Sequence, residues 1–415
     1  MNRLITRIWL LLLIAFVLNA CSSTAPAVKR DITMASRAIT QTRAAPSQNV
    51  HNSAIYSGTQ SRTASRQNSY RSATHYGPFQ KPPELEPAVE FWRKAYTVWR
   101  RSEVAFHDNR YMDVIYEVMV LPGYVDESLT TEQKEIVSQR RDYWKAQLFA
   151  LERKLLYNVP LNANDRQLIA KLESSGRQLN SVLKGAAERV RSQRGTRERF
   201  MRGLEISRRY DRRFRKIFRD AGLPEDLACL PHVESSFQPT AKSSAGAVGM
   251  WQFTQASART FMPASYKQSH SHKQSSSRRQ SYKKGRGSSY SHKRRHSRSG
   301  SHRPPRVDPR LDPFISAIGA ARYLRYAYNK LGDWPTAITS YNHGVNGMKR
   351  AQDQVGRDFV RIVETYGGPA FGFASRNYYA QFLAALEIAK KPMQNFSISM
   401  QYKPPLASGQ YLTLD

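Results

Sequence analysis

Two cysteines, Cys21 and Cys229, are all that 415 residues contain, which excludes the disulfide framework of a small secreted domain. Cys229 lies in an apolar helical pattern with Leu227, Leu230 and Val233, where a thiol packs as a small inert hydrophobe. Nothing beside it suggests a thiol nucleophile or a zinc site. Acidic residues are also scarce: 32 Asp and Glu against 65 Lys and Arg leave a formal net charge of +33. On a folded face that imbalance would indicate a polyanion-binding protein. Its location argues otherwise, since residues 22–83 carry +7 and residues 267–306, with thirteen Lys/Arg and no acid, carry +13. Most of the excess therefore falls in low-complexity sequence. No strong strand pattern stands out, and the one long apolar run is too short to span a bilayer comfortably.

That run opens the chain. "MNRLITR" supplies Arg3 and Arg7, "IWLLLLIAFVL" the apolar core, and small residues follow up to Leu18-Asn19-Ala20-Cys21. This is the layout of a secretory signal. Its last four residues resemble a bacterial lipobox, which makes Cys21 the lipidated first residue of a mature lipoprotein and leaves Cys229 without a partner. Ser22 and Ser23 contain no Asp retention signal, so the expected location is the cell envelope, lipid-anchored in the outer membrane and facing the periplasm. Residues 22–83, rich in Ser, Thr, Ala, Gln and Arg, read as a disordered basic tether. As a flexible coil of about 60 residues it would reach roughly 40–45 Å.

Helical periodicity takes over near residue 84. Val89, Trp92, Ala95, Tyr96 and Trp99 form one stripe, and "TTEQKEIVSQRRDYWKAQLFALERKLLY" and "NDRQLIAKLESSGRQLNSVLKGAAERV" continue in the same style. Residues 84–195 are thus expected to be a helical accessory region. Phe200, Leu204, Tyr210, Phe214, Ile217 and Phe218 then place an apolar side opposite an Arg-rich one. Gly222 and Pro224 separate that helix from one carrying "EDLACLPHVE", whose last turn Pro231 is expected to bend. A Ser/Arg/Lys/His stretch at 267–306 interrupts the helical blocks and reads as a disordered basic insertion. Asp312-Pro313 restarts the pattern, and helical sequence runs to residue 391. The expected fold class is all-α, with a catalytic domain over 196–391 and a C-terminal tail over 392–415.

The chemistry centres on Glu234, in "LPHVESSFQPTAKSSAGAVGMWQF". It follows an apolar helix face, and burial there would raise its pKa into the range a general acid needs near neutrality. Gly246 and Gly249 permit close backbone approach, and Trp251 and Phe253 offer flat apolar surfaces for sugar rings. No second acidic residue lies nearby, and a glycosidase ordinarily uses two carboxylates.

The stretch resembles the signature of the lytic transglycosylases of the goose-lysozyme-like superfamily. "AITSYNHGVNGMKRA" is similar to that family's Tyr-Asn-x-Gly motif, and "GFASRNYYAQFLAALEIAK" to its late Arg-Asn-Tyr helix. The resemblance runs from about residue 190 to 391 and is closest to the membrane-bound lytic transglycosylase D type. It implies a lysozyme-like fold and one catalytic acid, Glu234, cleaving between N-acetylmuramic acid and N-acetylglucosamine to leave a 1,6-anhydro end. It further implies that Ser235 orients Glu234, that Gln252 and the backbone around Met250 contact sugar, and that Tyr341 and Asn342 face the cleft. Tyr378 matches the late tyrosine near the acid, whereas Tyr379 belongs to a core stripe with Phe382, Leu383 and Leu386. His343 carries no catalytic role.

The sequence departs from the family pattern in the 267–306 insertion and in Pro309, where an acidic residue is common. No repeat resembling a LysM wall-binding module is present, so anionic wall or lipid contacts would rest on the basic segments. A muramidase of the same fold would need a second acid; Asp308 and Asp312 are nearest in motif order, and Asp312 reads as a helix cap. A catalytically inactive wall-binding lipoprotein is the other alternative, against which Glu234, Gln252, Tyr341 and Asn342 stand intact. The basic stretch would bind polyanions with strong salt dependence, but export makes nucleic acid incidental. Five histidines at 270, 272, 292, 296 and 302 are too irregularly spaced for a metal site, and no cofactor is expected.

Overall fold

In the computed structural model the described residues are 77–263 and 308–396. Cys21, the rest of the signal, most of the tether and the whole of 267–306 lie outside them. The last stretch expected to be tether does not. Phe79 is fully buried, edge-on to Phe382 at 5.1 Å and Trp334 at 5.9 Å, and the Gln80 carbonyl accepts the Tyr379 hydroxyl at 2.7 Å. Lys81 pairs with Glu86 and Glu387. A single aromatic in polar sequence gives no periodic signal, so the ordered chain starts earlier than its pattern does.

Helix α1, Glu86–Thr97, buries Val89, Phe91, Trp92, Ala95 and Tyr96. The region 84–195 is mostly helical, as expected, and also carries a small sheet. Strands β1 (Glu103–Asp108), β2 (Ile115–Val120) and β3 (Val190–Arg194) form an antiparallel sheet in the order β2-β1-β3. Val104 faces Met119 on one side and Arg194 on the other. The central strand is buried on both faces from Val104 to Asp108, which removes the alternation that marks a strand. Helices α2 (Thr131–Leu156), α3 (Ala163–Glu173), α4 (Leu179–Leu183) and α5 (Ala186–Arg189) accompany the sheet. Their core joins Phe106, Tyr116, Leu148, Leu151, Leu172 and Val182. Capping boxes at Thr130 and Asn162 start α2 and α3. Buried Asp108 accepts from the Arg110 amide at 2.7 Å and from Arg189 Nε at 2.8 Å.

From residue 197 on, the described chain is helical, as expected. It comprises α6 (Arg197–Ser207), α7 (Asp211–Asp220), α8 (Leu230–Glu234), α9 (Gln255–Phe261), α10 (Pro313–Leu331), α11 (Trp334–His343), α12 (Val345–Val355), α13 (Phe359–Thr365), α14 (Phe373–Lys390) and α15 (Pro392–Asn395). Helix α14 is its axis. Tyr378, Tyr379, Ala380, Phe382, Leu383, Leu386 and Ile388 are all buried, so α14 is covered on most sides, by α1, α8 and α11 among others. The Asp312 carboxylate accepts from the Phe314 and Ile315 amides at 2.9 Å, the cap expected of it. The helix expected through "EDLACLPHVE" is instead two pieces: a 3₁₀ segment at Glu225–Cys229, then α8. Pro231 occupies the first turn of α8, where a missing N–H breaks no helical bond.

Candidate active site

Glu234 is the last residue of α8, and the chain turns away sharply behind it. Ser236 and Phe237 both adopt left-handed backbone conformations, at φ 51° and 58°. Non-glycine residues hold such angles only where the surroundings over-determine them. Here the Phe237 amide donates to the Pro231 carbonyl at 3.0 Å, and the Phe237 ring is buried between His232 and Phe214. On the other side α6 lies directly on the turn: a Cβ at Gly203 would sit 2.7 Å from the Ser236 carbonyl oxygen. The turn fixes the direction in which Glu234 leaves its helix.

Glu234 is half-buried at the end of α8. Burial pushes its pKa up from 4.5 to about 7, against the Tyr378 hydroxyl, which donates to Oε1 and favours the ionised form. Its electrostatic neighbours are phenols. Tyr96, Tyr323, Tyr341 and Tyr378 are all raised above the ordinary tyrosine value, by burial first and by the Glu234 charge in addition. Among the described residues no second carboxylate shifts Glu234. Asp308 is occupied by Arg310, at 2.7 Å, and Asp312 by its helix cap.

The other expected site residues divide into two groups. Tyr378 is at the acid. Tyr341 lies beside it on α11, its hydroxyl donating to the Trp251 carbonyl at 2.9 Å. Asn342 is exposed, and its Oδ1 accepts the Ser375 hydroxyl at 2.7 Å. Gln252 is half-buried at φ 49°, its Nε2 donating to the Gly249 and Ala241 carbonyls at 2.8 and 3.3 Å. Its Oε1 accepts nothing from the described residues. Ser235 does not bond Glu234. It is buried and donates to the Met250 carbonyl at 2.9 Å, so Ser235 and Met250 tie the loop to the helix end instead of facing a ligand. Trp251 and Phe253 are likewise buried, Trp251 against Phe214 and Phe218, and offer no open platform for sugar. An indole in "GMWQF" reads the same in either role; which way it points is decided by α7.

Arg310 carries no motif signal in the sequence. Its guanidinium is buried and donates to the Gly246 carbonyl at 3.0 Å and the Phe253 carbonyl at 3.1 Å, closing the loop that carries Gln252. Gly249 completes the contact, for a Cβ there would lie 2.3 Å from the Arg310 carbonyl oxygen. Tyr323 and Tyr96 carry no such signal either, since each repeats at core spacing on its helix. Only the position of Glu234 in space distinguishes them.

With this geometry established, comparison with known proteins adds one finding. Residues 215–280 and 290–359 match the family model of the transglycosylase SLT domain. The break between the two stretches falls inside the basic segment 267–306. No curated protein matches the chain. The match contains Glu234, Gln252, Tyr341 and Asn342, and ends before Tyr378. The SLT-domain match around half-buried Glu234 supports a lytic transglycosylase of the lysozyme-like superfamily acting on peptidoglycan.

Proposed function

We propose that this protein breaks the β-1,4 bond between N-acetylmuramic acid and N-acetylglucosamine without water, leaving 1,6-anhydro ends, and serves cell-wall remodelling. The observation that carries this reading is the single carboxyl Glu234, brought near neutrality by burial and faced by phenols with no second acid among the described residues. Protonated Glu234 gives its proton to the glycosidic oxygen as the bond from C1 to that oxygen breaks. The substrate's N-acetyl group stabilises the positive charge at C1, and Asn342, exposed on α11, would bond that group. The Glu234 carboxylate then takes the proton of the muramoyl 6-hydroxyl while O6 bonds to C1, and the enzyme ends as it began. One group is acid and then base, so a pKa near the working pH serves both halves. Tyr378 stabilises the intervening carboxylate through its hydrogen bond. The internal nucleophile is already in place, so no second carboxylate is required to activate water.

The same proposal covers the D-type subgroup and the envelope location, with Cys21 lipidated and residues 22–76 as the tether that lets the domain reach the wall. The test is a digest of purified peptidoglycan by the full chain in detergent, read by mass spectrometry beside Glu234→Gln. Products one water lighter than those of a lysozyme, absent with the variant, are expected. Reducing ends would replace the proposal with a hydrolase, and no product from folded wild-type protein would leave a wall-binding lipoprotein.

A further inference from the structure

Helix α1 lies outside both stretches matched by the family model, yet it reaches the acid by two routes. Trp92 Nε1 donates to Asn377 Oδ1 at 3.1 Å in a buried hydrogen bond. Asn377 Nδ2 donates in turn to the Phe373 carbonyl at 3.0 Å, one turn back on α14, so the amide is held at both ends. Tyr378 is the next residue, roughly 100° further round the helix, and its hydroxyl donates to Glu234. One turn beyond Trp92, the Tyr96 ring stacks on Phe200 at 4.5 Å, and Phe200 stacks on His232 at 5.0 Å, two residues before Glu234. Helix α1 therefore touches the supports of both partners in the Tyr378–Glu234 bond.

We propose that α1 is a working part of the catalytic centre, with Trp92 a positioning residue that acts through Asn377 to hold Tyr378 on Glu234. This rests on the reading of Glu234 as the acid. Apolar packing alone lets a helix turn slightly about its axis, whereas a buried polar clamp has one satisfied geometry. Asn377 and Tyr378 are adjacent on one rigid helix, so fixing the first against α1 fixes the second against α8. The groups facing Glu234 are Tyr96 from α1, Tyr323 from α10, Tyr341 from α11 and Tyr378 from α14. His232, on α8 itself, is held neutral by burial, its pKa lowered to about 3. Loosening Tyr378 therefore acts on Glu234 in one direction: burial is left less opposed, and the proton is held to higher pH.

The test uses the full chain. Wild type, Trp92→Phe and the pair Trp92→Phe/Asn377→Leu are compared by the pH profile of kcat and, without substrate, by carboxyl NMR titration of Glu234. Trp92→Phe is expected to lower kcat roughly tenfold with little change in KM. Its alkaline limb and the Glu234 midpoint should both move up by about half a unit or more. The pair leaves no orphaned polar atom, so it recovers stability but should retain the shifted midpoint and reduced kcat. A midpoint unmoved in both, or wild-type kcat in the pair, overturns the proposal, and if Trp92→Phe fails to fold the pair decides. Wild-type protein without lytic activity, but with a midpoint that moves in the variants, would remove the functional reading and leave the clamp.

Discussion

At Glu234, burial and the Tyr378 hydroxyl pull in opposite directions, and burial prevails. Two consequences belong to this single residue. The first is kinetic: the acid must be protonated to begin the cycle, so kcat/KM should fall as pH rises through about 7, measured as initial rates on soluble peptidoglycan fragments. Tyr378→Phe should move that fall to higher pH, because the removed bond favoured the carboxylate. The second is thermodynamic. The folded state binds the Glu234 proton more tightly than the unfolded chain, so this group's contribution to stability declines as pH rises from 4.5 to about 7. Glu234→Gln removes the penalty. The variant should be inactive, and by denaturant unfolding it should gain roughly 2–3 kcal/mol over wild type at pH 8, with the advantage vanishing near pH 4.

The loop from residue 236 to 254 is held in shape by groups outside it. Arg310, next to the basic segment in sequence, donates to two of its carbonyls, and the Ser235–Met250 bond and the Tyr341–Trp251 bond tie it to α8 and α11. Arg310→Ala would leave the Gly246 and Phe253 carbonyls without these bonds and would remove the Arg310 charge from Asp308. It should cost roughly 2–4 kcal/mol in urea unfolding. Activity should suffer more than that loss implies, because Gln252 rides on the same loop. Gly249→Ala meets both the Arg310 carbonyl and a left-handed backbone at φ 82°, and it should reproduce the phenotype without removing any charge.

Across the whole molecule, the family match marks less than the folding unit. Residues 215–359 omit α14, the axis of the helical half, and α1, which packs on it. Removing residues 77–97 strips away Phe79, Phe91, Trp92, Ala95 and Tyr96, all buried. Each large side chain is worth about 1.5–3 kcal/mol of burial, and a domain has only about 5–15 kcal/mol to lose. A chain starting at residue 98 should show no cooperative thermal transition by circular dichroism, while one starting at residue 77 should melt as a unit.

The sequence by itself determined what local rules govern. Helix caps at Asp312, helical stripes through α1 and α14, and the order of three motifs around Glu234 could all be read directly, because each depends on residues a few positions apart. The small sheet could not, since its central strand is buried on both sides and its partners are far away in sequence. The same limit applied at the site. Glu234, Tyr341 and Tyr378 were identifiable by motif, but Ser235, Met250, Trp251 and Arg310 have meaning only through what they touch. Tertiary structure turned Ser235 toward the Met250 carbonyl, placed Trp251 in the core and brought Tyr96 to the acid from 138 residues away in the chain. Burial and hydrogen-bond partnership are properties of neighbours in space, and one-dimensional spacing specifies those only within a turn or two of helix.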